Sequence, residues 1–224
     1  MSDRQTTTAV VDVDGTLVDT NYHHSVAWFR AFQHSGVTVP VWKIHRAIGM
    51  GGDKLPTAVA GEDVEREHGD EVRAAWAELF DPMLEEIPLL EGARELLEAL
   101  GDNGYSVVLA SSGKPEHVDH FLDLLDARDL VAGWTTAEDV EDTKPAPDLI
   151  GVALTKGRGE RALAIGDSVW DCRAAAKLEI PTVALLTGGF GEAELTDAGA
   201  RRVYEDLPSL IKDIHNLSAE EPAD

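Results

Sequence analysis

The chain has 224 residues, 43% of them hydrophobic, and its 42 acidic residues outnumber 19 Lys and Arg to leave a formal net charge of -23. That length and apolar content suit a folded protein with a real core, as one large domain or a medium domain carrying an insertion, and exclude wholesale disorder. The acidity excludes general binding to nucleic acid or to anionic membranes, so any phosphate site must be made locally positive by a metal ion and a few well-placed bases.

The opening residues Met1-Ser2-Asp3-Arg4-Gln5 contain no apolar signal-peptide region, and no later apolar stretch is long enough to span a bilayer, so a cytoplasmic location is expected. A buried parallel strand is predicted over residues 8–13. Its β-branched run ends abruptly in two carboxylates, Asp12 and Asp14, which alternation puts on the same side of the chain. Gly15 then lets the backbone turn sharply, and Thr16 offers a hydroxyl and an amide at the same spot. Oxygen ligands and hydrogen-bond donors converging on one small volume suit a hard cation beside a phosphate.

Residues 19–89 contain no convincing strand, whereas Val72, Ala75, Trp76, Leu79 and Met83 recur at helical spacing. The stretch is far longer than a strand-to-helix connection requires. An inserted all-helical cap over residues 19–89 is therefore predicted, with the core formed by 1–18 and 90–224. Trp28, Phe29 and Trp42 fit either internal packing or an interface, which leaves monomer and homodimer both open.

Beyond residue 90, Ala93, Leu96, Leu97 and Leu100 follow the i, i+3, i+4, i+7 spacing of a helix, as do Val118, Phe121, Leu122 and Leu125. Strands are predicted at 105–110, 161–165, 182–186 and 202–204, with 134–136 a weaker candidate. Strand and helix in alternation give an α/β fold, a Rossmann-like parallel sheet covered on both faces, in which ligands bind beyond the carboxyl ends of the strands. Ser111, Ser112, Gly113 and Lys114 follow one such strand; Gly166, Asp167, Ser168 and Asp171 follow another. Lys144 lies in a loop that Pro145 and Pro147 stiffen before the next helix.

Taken singly, Asp167 and Asp171 also read as a helix cap and a first-turn acid, Ser111 as a cap, and Lys114 and Lys144 as solvated lysines. Their agreement with Asp12 is what favours a site. The Ser111–Lys114 segment is not a Walker loop, because Pro115 follows the lysine and the upstream glycine spacing fails. Cys172 stands alone, which excludes an internal disulfide framework, and reads as a small helix residue. Asn216-Leu217-Ser218 is read as a chance glycosylation triplet, and residues 218–224 are expected to fray.

In order, Asp12-x-Asp14-Gly15-Thr16, Ser111, Lys144 and Gly166-Asp167-x-x-x-Asp171 resemble the motifs of the haloacid dehalogenase superfamily of hydrolases, over nearly the whole chain. The resemblance implies that Asp12 attacks phosphorus to form an aspartyl-phosphate, while Asp14 protonates the leaving oxygen and later activates water. Acid–base help of about 10²- to 10⁴-fold is small beside the up to ~10²¹-fold that monoester hydrolysis requires, so electrostatics must supply most of the acceleration. The resemblance further implies Mg²⁺ held by the Asp12 carboxylate, the Asp14 backbone carbonyl and Asp167, with Asp171 nearby. Lys144 would compensate charge on Asp12 and the phosphoryl group, with phosphate oxygens held at Ser111, Ser112, Lys114, Gly15 and Thr16.

Dehalogenases of this superfamily carry Tyr two positions after the nucleophile and phosphonate hydrolases carry Ala, so Asp14 implies a phosphomonoesterase or a phosphomutase. The insertion resembles the cap of the phosphoglycolate phosphatase and β-phosphoglucomutase branch. Thr20 and His24 match hinge-side positions that mutases use near the acid–base aspartate, although His24 also reads as one more polar residue on a cap helix. The other seven histidines, His117 and His120 among them, are expected at the surface. Substrate choice is expected in the loop Arg46 to Lys54. Mutases carry an arginine soon after the loop glycine, whereas here Gly51-Gly52-Asp53 leaves Arg46 and Lys54 as the anion contacts. The expected activity is a Mg²⁺-dependent phosphatase acting on a small anionic phosphorylated metabolite, with phosphoglycolate as the leading example and a sugar-phosphate mutase as the alternative.

Overall fold

The computed structural model describes residues 6–217. The opening pentapeptide, the tail expected to fray and the last residue of the glycosylation triplet lie outside the described residues. Six strands, β1 (Thr7–Asp12), β2 (Tyr105–Ala110), β3 (Gly133–Thr135), β4 (Arg161–Gly166), β5 (Thr182–Leu185) and β6 (Ala200–Tyr204), form one sheet in the order β3-β2-β1-β4-β5-β6. Every pairing is parallel.

Alternation along β1 divides the core. Ala9 and Val11 join Val107, Leu109, Leu163 and Ile165 on one face, and Val10 joins Val108, Ala110 and Ala164 on the other. Because both faces are buried, the strands read as continuous apolar runs rather than as alternating ones. The first face is covered by α5 (Ala93–Asp102), α6 (Pro115–Leu125) and α10 (Leu207–Lys212), and the second by α7 (Asp148–Lys156) and α8 (Val169–Ala176). The short α9 (Glu192–Asp197) packs beside β6. The predicted helix faces hold, since Leu96, Leu97 and Leu100 on α5 and Val118, Phe121, Leu122 and Leu125 on α6 are all buried.

Between β1 and α5 the described chain is helical, with α1 (Asn21–His34), α2 (Val41–His45), α3 (Leu55–Ala60) and α4 (Glu62–Phe80). These helices close on a core of their own, built from Trp28, Phe32, Ile44, Leu55, Val59 and Val72. Two chain segments join this cap to the sheet. They run antiparallel, with a Val18–Leu89 bridge, an Asp19 N–H donating to the Pro88 carbonyl at 3.1 Å and a Leu90 N–H donating to the Leu17 carbonyl at 2.9 Å. Met83 lies beyond α4 in a 3₁₀ segment, Asp81–Glu86, because Pro82 has no N–H with which to continue the α-helical ladder. No helix of the described residues is long and apolar enough to cross a membrane.

Candidate active site

The strand order reverses between β1 and β4, and the crevice beyond their carboxyl ends is where an open parallel sheet receives ligands. Asp12 is the last residue of β1, and Asp167 follows β4 directly. Asp14 is not on the strand. The chain leaves the sheet after Asp12, and Gly15, at φ +77°, turns it so that Asp14 bridges to Val18. Val13 still packs with Ala9 and Val11, so alternation carries Asp12 and Asp14 to the opposite side before the Gly15 turn. A side chain at position 15 would run into Asn21 and Asp167.

Asp12, Asp167 and Asp171 are all buried, and each offers a carboxylate oxygen within 4.8 Å of the others. Lys144, itself buried, donates to Asp12 and pairs with Asp171 Oδ1 at 2.7 Å. Thr16 Oγ1 donates to Asp167 Oδ1 at 3.1 Å, and Asn21 Nδ2 donates to Asp167 Oδ2 at 2.8 Å. Asp171 is a first-turn acid of the helix that follows β4, but a buried one and not a solvated one. Its Oδ2 accepts from the Ser168 N–H at 3.1 Å and closes a capping box at the start of α8, which leaves Oδ1 for Lys144.

Charge is poorly balanced in this cluster. Burial drives the Asp12 carboxyl well above its usual range; Lys144 opposes the shift, and Asp171, Asp167 and Asp14 add to it. Asp167 is pushed up to about 7, first by burial and then by Asp171. Lys144 stays charged, because Asp12 and Asp171 more than offset its burial. One buried cation against three crowded carboxylates fits a hard divalent cation with oxygen ligands, and Asp12, Asp167 and Asp171 are the residues that could hold it.

Asp14 sits in a second group. His24 Nε2 lies 3.2 Å from its Oδ1, and Ser111 Oγ donates to its Oδ2 at 3.3 Å. Against burial, the hydrogen bond and charge of His24 hold Asp14 below the usual carboxylate range. The His24 ring stacks on Phe80, with the ring centroids 4.0 Å apart, which fixes its orientation toward Asp14. Ser111 is buried beneath the cavity with its hydroxyl engaged; Ser112, Gly113 and Lys114 are the members of that loop that line it.

Three expectations about basic groups are corrected. Arg46 does not line the cavity, because it pairs with Glu194 and lies 4.1 Å over the Phe190 ring. Lys54 is likewise held outside it by Asp142 and Asp53. In so acidic a molecule, carboxylates on the core rim capture the cap loop's cations. His117, expected at the surface, is buried, lines the cavity and meets Asp81 Oδ1 at 2.9 Å through Nε2. The loop itself does reach the site, through Ile48, Gly49, Met50, Gly52 and Asp53. Sequence reasoning also missed Asn21, Trp28, Arg73 and Trp76. Arg73 and Trp76 stand one helical turn apart on α4, a spacing that could have flagged a shared face; nothing local marks Asn21.

The family profile of the haloacid dehalogenase-like hydrolases matches residues 6–179. The chain belongs to that family. It is 29% identical over 191 residues to validoxylamine A 7'-phosphate phosphatase of Streptomyces hygroscopicus subsp. limoneus, covering 83% of this chain and 88% of that one. It is 30% identical over 193 residues to the plasmid-encoded protein CbbY of Cupriavidus necator, covering 78% and 76% of the two chains. A hydrolase from Pseudomonas syringae has the same fold, with a TM-score of 0.88 and 32% identity over 95% of this chain and 100% of that one.

Proposed function

We propose that this chain is a Mg²⁺-dependent phosphomonoesterase working through an aspartyl-phosphate on Asp12. The observation that carries the reading is the buried cluster in which Lys144 bridges Asp12 and Asp171, with the Asp14–His24 pair beside it. A phosphatase among its relatives supports it.

A carboxylate oxygen of Asp12 attacks phosphorus, the bond from phosphorus to the leaving oxygen breaks, and Asp14 gives that oxygen its proton. Water then attacks the acyl phosphate, loses a proton to Asp14 and regenerates Asp12. His24 holds Asp14 ionised in the free protein. A phosphate dianion arriving beside Asp14 raises its proton affinity, so the acid becomes competent with substrate bound. Lys144 opposes the rise in proton affinity that burial imposes on Asp12 and then faces the transferred group. Ser112, Gly113 and Lys114 flank the space where the phosphoryl oxygens would lie. Asp12, Asp167 and Asp171, with the Asp14 backbone carbonyl, would hold Mg²⁺, which when bound supplies charge stabilisation at the phosphoryl oxygens.

The mutase alternative is not favoured, since a bisphosphate needs a second anion site and Arg46 and Lys54 are engaged outside the cavity. The same pairing gives no support to phosphoglycolate, whose leaving group carries a carboxylate. Phosphate release from a panel of phosphomonoesters, with Mg²⁺ and with a chelator, tests the reading. Release should require Mg²⁺ and vanish in Asp12→Asn; turnover indifferent to both overturns it.

A further inference from the structure

The space between the cap and the sheet has a volume of about 330 Å³, far more than a phosphate needs. On the core side it meets Asp12, Asp14 and Lys144; on the cap side the wall is apolar, with Trp28, Ile48, Met50, Leu55 and Trp76. Trp28 and Trp76 stack at 5.0 Å and 15°, and Trp76 continues onto Phe80 at 5.4 Å and 14°. Mutual stacking fixes these rings in place, so the wall is shaped before any ligand arrives.

The cap's own cation is already committed, and the core's Lys114 places its ammonium over the Trp76 ring, 6.0 Å from its centroid. Arg73, the cap's cation on the lining among the described residues, places its guanidinium on Glu65 and Asp70, each at 2.8 Å. Lys114 belongs to the loop that flanks the phosphoryl position. Asp53 and Glu141 add carboxylates to the lining. A second anionic group on the substrate would therefore find negative charge and no uncommitted cap cation, whereas an apolar ring would find a preformed aromatic wall.

Resting on the phosphatase reading above, we infer that the ester's leaving group carries an uncharged ring, aromatic or alicyclic, that packs against the Trp76–Trp28 wall. Trp76 and Met50 are then specificity-determining residues. Burying one ring there is worth about tenfold or more in affinity.

Non-hydrolysable phosphonates separate this inference from the reading beneath it. With the Mg²⁺-loaded protein, calorimetry should give benzylphosphonate and cyclohexylmethylphosphonate at least about tenfold tighter binding than methylphosphonate, with phosphonoacetate no tighter than methylphosphonate. Trp76→Ala should bring the ring compounds down to the methylphosphonate level. Met50→Arg, at a half-buried loop position outside the Trp28–Trp76 stack itself, should shift the balance toward phosphonoacetate by about tenfold. Equal affinity across the series, or tighter phosphonoacetate in the unaltered protein, overturns the inference. Ring preference without phosphate release from any ester would overturn the phosphatase reading and support the ring-binding wall; release from small charged esters without ring preference would do the reverse.

Discussion

In the proposed mechanism Asp14 is held between a group that favours its ionised form and a reaction that needs its proton. His24 Nε2 at 3.2 Å and the Ser111 hydroxyl at 3.3 Å both stabilise the carboxylate. Asp14→Asn should lower kcat/KM for alkyl phosphates by about 10²- to 10⁴-fold, and by much less for p-nitrophenyl phosphate, whose leaving group needs no proton. Equal losses on both, with the melting temperature unchanged, would remove Asp14 as the acid. His117 makes a pH prediction of defined sign. Burial lowers the pKa of its imidazole, against the opposing hydrogen bond that the Asp81 carboxylate accepts. A group lowered from about 6.5 contributes stability that is present above that value and lost as pH falls through the folded-state pKa. His117→Gln should therefore lose less melting temperature than the unaltered protein between about pH 7 and pH 5. Comparing the two proteins cancels the opposite contributions of Asp12 and Asp167, and a parallel decline would refute the assignment.

At the scale of elements, the cap loop after α2 is fitted to the core loop that carries Lys144. Thr143 donates to Asp53, and a Cβ at Gly51 would collide with Thr143. Gly51→Ala should push the loop away from the core and raise KM about tenfold, with little change in melting temperature because the cap's own core is untouched. Steady-state kinetics beside a melt checks this; an unchanged KM would show that the contact is incidental. Arg46 and Lys54 sit in half-exposed ion pairs that join the cap to the core rim, each worth about 0–1 kcal/mol. The Arg46→Ala, Lys54→Ala double variant should move rates on all substrates together by a few-fold, without reordering preferences. The sheet strands were legible as short continuous apolar runs, and α5 and α6 because burial on one face leaves a period in the residues. The end of α4 at Phe80 was less so, since Met83 continues the apolar spacing past the point where Pro82 breaks the hydrogen-bond ladder.

For the whole molecule, a net charge of -23 makes a bound divalent ion a stabilising element as well as a reactive one. Saturating Mg²⁺ at about 100 times its dissociation constant should add about 2.7 kcal/mol, or about 5–10 °C in melting temperature. Asp167→Asn should abolish that increment in a thermal melt with and without chelator; an undiminished shift would place the ion elsewhere. The fold class and the helical insertion were legible in the sequence alone, as were the residues on which the proposed mechanism rests. Strand ends, a turn glycine and an apolar period are local properties, and the residues that follow each strand are brought to one edge of a parallel sheet by its topology. What the tertiary structure alone decided is the direction and company of side chains across the cap–core gap. Whether Arg46 reaches into the cavity or out to Glu194, and whether His117 faces solvent or Asp81, depends on which distant carboxylate or ring stands opposite. That choice is an electrostatic and packing competition among residues far apart in the chain, and no local spacing encodes its outcome.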